Sequence, residues 1–372
     1  MEKILCIHQS SELYGSDRSF FSAVEGINNE RSVDVILPFY GDLSQLLENA
    51  GINVIYYNKG ILRKNDLKKP FSFLINSIKA IFFYKNIFDR YDTIYINTIV
   101  MFSAIMVSSL YRFTKKKKIY CHVREIPSSK QLSIFKLLFV IAGVRLIYNS
   151  LATKKAFNLP GEVVYNGVSD LLLEDKYFPG SDNKIIKILL IGRINTWKGH
   201  HLLINALTNL KLKLKDDFSF NIRIVGSVFE GYENLQTELV GKVNDNGLTE
   251  NITFFSFTKN PIEHFQWADY IIVPSTKPEP FGRVAIEAFS AARPVIAADH
   301  GGLSEIVSDS VNGFLFEPNN IESLQAALMK TVECSQEKYL LLSQNARREY
   351  EKTFSEEKYQ NSLKKIILGE TK

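Results

Sequence analysis

The chain has 372 residues, of which 45% are hydrophobic and 23% charged, an ordinary balance for a packed protein that excludes a disordered or fibrous chain. Its three cysteines, Cys6, Cys121 and Cys334, are far apart and form no CxxC, which argues against a disulfide framework or a structural zinc site and fits a reducing compartment. Net charge is +5 but unevenly spread: residues 1–165 hold 22 Lys/Arg against 13 Asp/Glu, whereas the remainder holds 23 against 27. That polarity suits an anionic partner, or else is only a solvated lysine-rich surface.

The opening MEKILCIHQS lacks the basic segment and apolar stretch of a signal peptide. The apolar windows Ile99–Phe113 and Ile134–Tyr148 are shorter than the ~20 residues needed to cross a bilayer, so they read as core elements. A cytoplasmic protein, or one peripheral on a membrane face, is expected. In chain order, strands are expected at Ile4–His8, Val33–Pro38, Asn53–Tyr57, Thr93–Asn97, Lys118–Val123 and Arg145–Asn149. Helical segments at Ser16–Asn28, Leu43–Asn49, Phe71–Phe88 and Ser128–Val140 lie between them. Continuous apolar strands alternating with helices predict a parallel sheet covered on both faces.

The pattern restarts after the irregular stretch Asn166–Asn183. Strands are expected at Ile185–Ile191, Asn221–Val225, Ile252–Phe255, Tyr270–Val273 and Pro294–Ala297. Helices are expected at His200–Leu210, Tyr232–Asn246, Pro261–Trp267, Arg283–Ala291 and Ile321–Thr331, with a helical tail from Ser335 to Leu368. No repeat of 20–50 residues links the halves, so a solenoid is excluded. Two doubly wound α/β domains are the simplest reading, with domains at 1–168 and 169–352 and a returning C-terminal segment at 353–372. Ligands of such sheets bind beyond the carboxyl ends of the strands.

Three strand ends carry candidate chemistry. After the first strand, Gly15 and Ser16 stand where a loop turns into a helix, a place where backbone N–H groups favour an anion but where a glycine is more often a plain turn. The first strand of the second half ends in GRINTWKG, in which Arg193 and Lys198 are two cations flanked by glycines. The run matches neither GxxxxGK[ST] nor GxGxxG, yet a diphosphate suits the pair: Arg grips oxygens bidentately and Lys adds a mobile point charge. The third is Pro274–Ala288, PSTKPEPFGRVAIEA, running from a strand end into a helix. Pro278 and Pro280 stiffen it and Gly282 allows close backbone approach. Glu287, about a turn and a half into that helix among apolar neighbours, must find donors; ligand hydroxyls or a structural salt bridge would supply them.

The spacing Glu279-x7-Glu287 within EPFGRVAIE resembles the signature of family 4 glycosyltransferases of the GT-B fold. Other segments share the likeness: the cations of GRINTWKG, the NGV turn at Asn166-Gly167-Val168, Ala268-Asp269-Tyr270 leading to Ser275, Gly301-Gly302 with Glu305, and His122 within CHVRE. The resemblance spans about residues 10–310. It implies two Rossmann-like domains facing each other across a deep cleft, with C-terminal helices packing back. It also implies a retaining, metal-independent transferase without cofactor, whose donor is a nucleotide diphosphate sugar. By the same likeness His122, Arg193, Lys198 and Glu279 would be catalytic. Gly15, Ser16, Arg193, Lys198, Phe257, Glu279, Phe281, Gly282, Arg283, Val284 and Glu287 would bind the donor, with Glu287 on the ribose hydroxyls. The absence of any D-x-D sequence points the same way. Tyr14-Gly15 in place of two glycines, Arg283 in place of a small or aliphatic residue, and Ser256 in place of glycine are departures that bear on the donor.

In this fold the acceptor lies mainly on the first domain, which carries the basic excess: Arg63, Lys64, Lys68, Lys69, Lys79, Lys85 and the run Lys115 to Lys118. Phe71, Phe73, Phe82, Phe83, Tyr84 and Phe88 interleave the first set, a pattern that suits an anionic membrane surface and a glycan or lipid-linked acceptor in surface polysaccharide synthesis. No nucleic-acid module is recognisable, so nucleic acid is not an expected partner. Two alternatives stay open: a nucleotide-sugar 2-epimerase of the same fold, whose acid and base groups would come from His8, His122 and Glu125, and a catalytically silent sugar-nucleotide-binding protein.

Overall fold

The computed structural model describes residues 3–63, 70–113, 117–171, 185–214, 220–228 and 231–369. They form two compact units, one comprising the chain up to Gly167 together with the chain from Glu356 onward, the other Val168–Ser355. Lys64, Lys68, Lys69, Lys115 and Lys116 of the basic set lie outside the described residues.

The first unit alternates β1 (Ile4–Ile7), α1 (Gly15–Asn28), β2 (Val33–Leu37), α2 (Asp42–Asn49), β3 (Asn53–Tyr56), α3 (Pro70–Phe88), β4 (Thr93–Asn97), α4 (Phe102–Ser108), β5 (Lys118–Val123), α5 (Ser129–Ala142), β6 (Arg145–Tyr148), α6 (Leu151–Phe157) and β7 (Gly161–Val163). A 3-10 turn, Ser109–Tyr111, prolongs α4. The seven strands pair in parallel in the order β3-β2-β1-β4-β5-β6-β7. Central strands are apolar on both faces because each face is covered. In β1, Leu5 and Ile7 join the core beneath α3, α4 and α5, while Ile4 and Cys6 join the core beneath α1 and α2.

The second unit alternates β8 (Ile186–Ile191), α7 (His200–Leu214), β9 (Phe220–Val225), α8 (Glu233–Asp245), β10 (Ile252–Phe255), α9 (Ile262–Trp267), β11 (Tyr270–Val273), α10 (Arg283–Ser290), β12 (Val295–Ala298), α11 (Leu303–Ile306), β13 (Gly313–Phe316), α12 (Ile321–Val332) and α13 (Gln336–Glu349). Its six parallel strands run β10-β9-β8-β11-β12-β13, the order of the first sheet without its last strand. A π turn, Tyr350–Phe354, ends the unit, and α14 (Glu356–Lys364) belongs to the first unit, where it packs on α1. Tyr359 and Leu363 of α14 are buried in the same core as Phe20 and Val24 of α1.

The expected strands and helices occur with ends shifted by at most a few residues. The sequence reading did not include β7, β13, α4, α6 and α11. The first two are a three-residue edge strand and a strand opening on glycine. The helices α4 and α11 are short and have no side-chain cap.

Candidate functional site

In the second unit the loop after β8 is shaped by Asn195. Its buried side-chain oxygen accepts the backbone N–H groups of Trp197 at 3.1 Å and Lys198 at 3.0 Å, an Asx turn that reverses the chain ahead of α7. The Trp197 carbonyl accepts the Thr276 N–H at 2.8 Å, tying this loop to the one after β11. Gly199 makes the approach possible: its φ is +79°, and a Cβ there would lie 1.8 Å from the Pro274 carbonyl oxygen. Arg193 is half-buried at the start of the loop.

The two loops meet at Glu279, only 7% exposed. Its Oε1 accepts from Lys198 Nζ at 2.7 Å and from Ser275 Oγ at 2.6 Å, and the Lys198 ammonium also lies 4.6 Å from the centre of the Trp197 ring. Two loop-borne charges thus hold each other at the carboxyl end of the sheet, where a parallel α/β unit binds its ligand. The backbone of Glu279 is fixed by the glycine pair that follows β12. Gly301 bridges to it, and the Gly302 N–H donates to the Glu279 carbonyl at 2.8 Å. A Cβ on Gly301, whose φ is +62°, would lie 2.4 Å from that carbonyl oxygen. His300 Nε2 lies 2.9 Å from the Ser275 carbonyl, and burial holds this imidazole below its usual range. His200 is pushed down to about 4 by burial and then by the Lys198 charge. Both rings are therefore neutral near pH 7, and the fixed positive charge beside Glu279 is the Lys198 ammonium.

Gly282 precedes α10 and Arg283 opens it. The Phe281 ring is buried and packs edge-on to Phe354 at 6.1 Å, which leaves its backbone rather than its ring to meet a ligand. Arg283 Nε donates to Glu287 Oε1 at 2.9 Å along one helix turn, with side-chain exposures of 19% and 21%. Arg283, a departure from the pattern of the family the sequence resembles, thus supplies a donor to the carboxylate that the resemblance would put on ribose. Val284 is half-buried and Phe257, two residues after β10, is exposed. Among the second-unit candidates the structure brings Lys198 to Glu279 and Arg283 to Glu287 by direct contact. Sequence reading missed the organising roles of Asn195 and His300, although an Asn two residues before a loop Trp is a usable turn signal.

Gly15, Ser16 and His122 belong to the first unit. Gly15 is the first residue of α1, and the Ser16 hydroxyl donates to the Asp17 carboxylate at 3.2 Å. Asp17 is buried; it also accepts the Tyr14 N–H at 3.0 Å and lies 2.7 Å from His8 Nε2. His122 stands opposite Asn97 in the β4–β5 ladder, with its ring fully buried. Its Nδ1 is 2.7 Å from the Tyr95 hydroxyl, and among the described residues its Nε2 has no hydrogen-bond partner. Burial, then the adjacent Arg124, hold it well below the ordinary imidazole range, so it is neutral.

Arg124 is buried and donates to Asn97, to Asn166 Oδ1 at 2.6 Å and to the Tyr359 hydroxyl at 2.7 Å. Asn97 also reaches His8 Nδ1 at 2.8 Å. Glu125 follows; its carboxylate accepts the backbone N–H groups of Arg124 at 3.2 Å and Ile99 at 3.4 Å, and burial pushes its pKa up to about 7. Among the described residues no three His, Cys, Asp or Glu side chains gather as a metal site.

Comparison with known proteins places these observations. Residues 174–349 match the family described as Glycosyl transferases group 1. An uncharacterized glycosyltransferase of Methanocaldococcus jannaschii is 30% identical over 211 residues, 55% of this chain and 52% of the relative. The Campylobacter jejuni N-acetylgalactosamine-N,N'-diacetylbacillosaminyl-diphospho-undecaprenol 4-alpha-N-acetylgalactosaminyltransferase is 27% identical over 219 residues, 56% and 53% of the two chains. The chain thus spans about half the length of these curated relatives. Anabaena HepE, solved with UDP and glucose, superposes with a TM-score of 0.77 at 24% identity, covering 100% of both chains. The fold is that of the GT-B glycosyltransferases.

Proposed function

We propose that this protein transfers a sugar, with retention of anomeric configuration, from a nucleotide diphosphate sugar to a hydroxyl of a glycan or lipid-linked glycan. The observation that carries the reading is the Lys198–Glu279–Ser275 contact, built on two loops at the strand ends of the second unit. The matched family and the relative acting on a diphospho-undecaprenol acceptor support the reaction class and a place in surface polysaccharide synthesis. The UDP and glucose held by the HepE structure make a UDP-sugar the first donor to try.

As the bond between anomeric carbon and phosphate breaks, negative charge grows on the leaving diphosphate and positive charge on the sugar ring. Lys198 and Arg193 would meet the diphosphate, an electrostatic contact that strengthens as charge develops. Glu279, held on one oxygen by Lys198 and Ser275, would orient the donor sugar with the rest of its carboxylate. Glu287 would exchange part of its Arg283 contact for ribose hydroxyls. The donor phosphate itself would take the acceptor proton on the same face. In this reading the two cations do the work of a metal.

A thermal-shift screen with UDP-, GDP- and dTDP-sugars, followed by transfer assays, tests the reading. A ligand at 100 times its dissociation constant should add about 2.7 kcal/mol to stability. No shift with any nucleotide sugar would contradict the donor assignment. NMR of products formed from donor alone separates transfer from the epimerase reading, which Glu125, with its pKa near neutrality, keeps alive.

A further inference from the structure

The outer surface of the first unit carries an apolar layer that its fold does not use. Helix α3 is apolar on two sides. Ala80, Tyr84, Ile87 and Phe88 face the core, while Phe71, Leu74, Ile75, Ile78 and Phe82 form a second stripe at helical spacing that is exposed, Phe71 by 76% and Phe82 by 65%. Helix α3 packs on α4, and α4 on α5. Along the same layer Met106, Leu110 and Phe113 are exposed, the last by 89%, and α5 adds Ile134, Leu137, Val140 and Ile141. Twelve of the twenty-four exposed large apolar side chains among the described residues lie on these three helices and the turn after α4. A soluble surface rarely gathers so many in one place without a partner.

The charge of the layer says what kind of partner. The segments Pro70–Phe88, Phe102–Phe113 and Ser129–Ala142 contain no Asp or Glu at all, but they carry Lys79, Lys85, Arg112, Lys130 and Lys136. The nearest carboxylate in sequence, Asp89, is engaged by Lys85 and by the Tyr111 hydroxyl. A two-fold contact between copies of this chain would set these cations against one another with no carboxylate to receive them. Apolar side chains that dip below the headgroups, accompanied by cations on the same segments and free of acidic groups there, are instead complementary to an anionic bilayer. Among the described residues no helix is long and apolar enough to cross a membrane. We infer that the exposed faces of α3, α4 and α5 form a docking surface that lies in the interface of an anionic lipid bilayer. The inference is independent of the catalytic reading, since none of these side chains belongs to the second-unit site.

Cosedimentation of the full chain with vesicles tests it. The wild type should pellet with mixed phosphatidylglycerol and phosphatidylcholine vesicles far more than with phosphatidylcholine alone. It should retain measurable binding at high salt, because inserted apolar groups are not screened. The triple variant Phe71→Ser, Phe82→Ser, Leu137→Ser, at exposed positions, should keep its thermal transition and lose about 100-fold in partitioning. Wild type remaining in the supernatant with anionic vesicles at low salt would overturn the inference. So would a folded triple variant that binds like wild type, or a wild type that is a dimer in solution and becomes a monomer on the same substitutions. Transfer to a short water-soluble acceptor, which needs no membrane, should be the same for both proteins, so failure of docking and failure of the catalytic reading are read separately.

Discussion

The two units share one strand order but treat the polar groups at their strand ends in opposite ways. In the first unit His8, Asp17, Asn97, Arg124, Asn166 and Tyr359 are buried and bond chiefly to one another. In the second unit the charges come on loops and stay partly open: Lys198 keeps 19% of its side chain exposed, Arg283 19% and Glu287 21%. The difference teaches how to read a strand-end charge. A closed network specifies a fold, because each member is satisfied by protein. An open pair keeps donor and acceptor capacity for something that is not protein.

The comparison breaks if the first-unit network proves dispensable. Arg124→Leu leaves the Asn97, Asn166 and Tyr359 oxygens short of a buried donor, and it should destabilise the protein by about 3–5 kcal/mol. Chemical denaturation followed by fluorescence would measure it, and a loss under 1 kcal/mol, on the order of a surface change, would mean the network is incidental.

A smaller effect sharpens the contrast. Because burial lifts the Glu125 carboxyl to about 7, the folded state holds its proton to higher pH than the unfolded chain does. Stability from this group is therefore complete below the unfolded value of about 4.3 and lost as pH rises through 7. Glu125→Gln cannot ionise, so its stability relative to wild type should improve by about 3 kcal/mol between pH 4.5 and pH 8. Melting curves across that range check the sign; a pH-independent difference would show a carboxylate of ordinary pKa.

On the open side, Glu287→Ala should weaken binding of the free nucleotide by about 2 kcal/mol, the worth of hydrogen bonds to a charged acceptor. Calorimetric titration would show it. Unchanged affinity in a folded variant would make the Arg283–Glu287 contact a purely structural helix pair, worth only a few tenths of a kcal/mol.

Much of this architecture was legible because both sheets are parallel and buried. Runs such as Ile4–Ile7 and Tyr270–Val273 are apolar at every position, and the order strand, loop, helix puts GRINTWKG and EPFGRVAIE at strand ends without any coordinates. The pairing of Lys198 with Glu279 was not legible. It joins residues 81 positions apart in the chain and depends on Gly199 letting one loop lie against Pro274. Arg283 with Glu287 was within reach, since i and i+4 on a helix are neighbours. Helix α6 could also have been found: Ser150 caps it by accepting the Thr153 N–H, a Ser ahead of a helical run. The second stripe of α3 hid in plain view, because periodicity cannot say which of two apolar sides meets the core.

Lys198, together with Arg193 of the same loop, is held to stabilise a departing diphosphate, and the direct test is single-turnover transfer by Lys198→Ala beside its affinity for the intact donor. Truncating Lys198 should lower the transfer rate by about 10²–10³ while donor affinity changes much less, because the contact strengthens as the bond breaks. Arg193→Ala should behave alike, and wild-type transfer should survive EDTA. A fully active Lys198→Ala, or transfer abolished by EDTA and restored by a divalent metal, would contradict the account and leave the Lys198–Glu279 pair as a structural clamp between two loops.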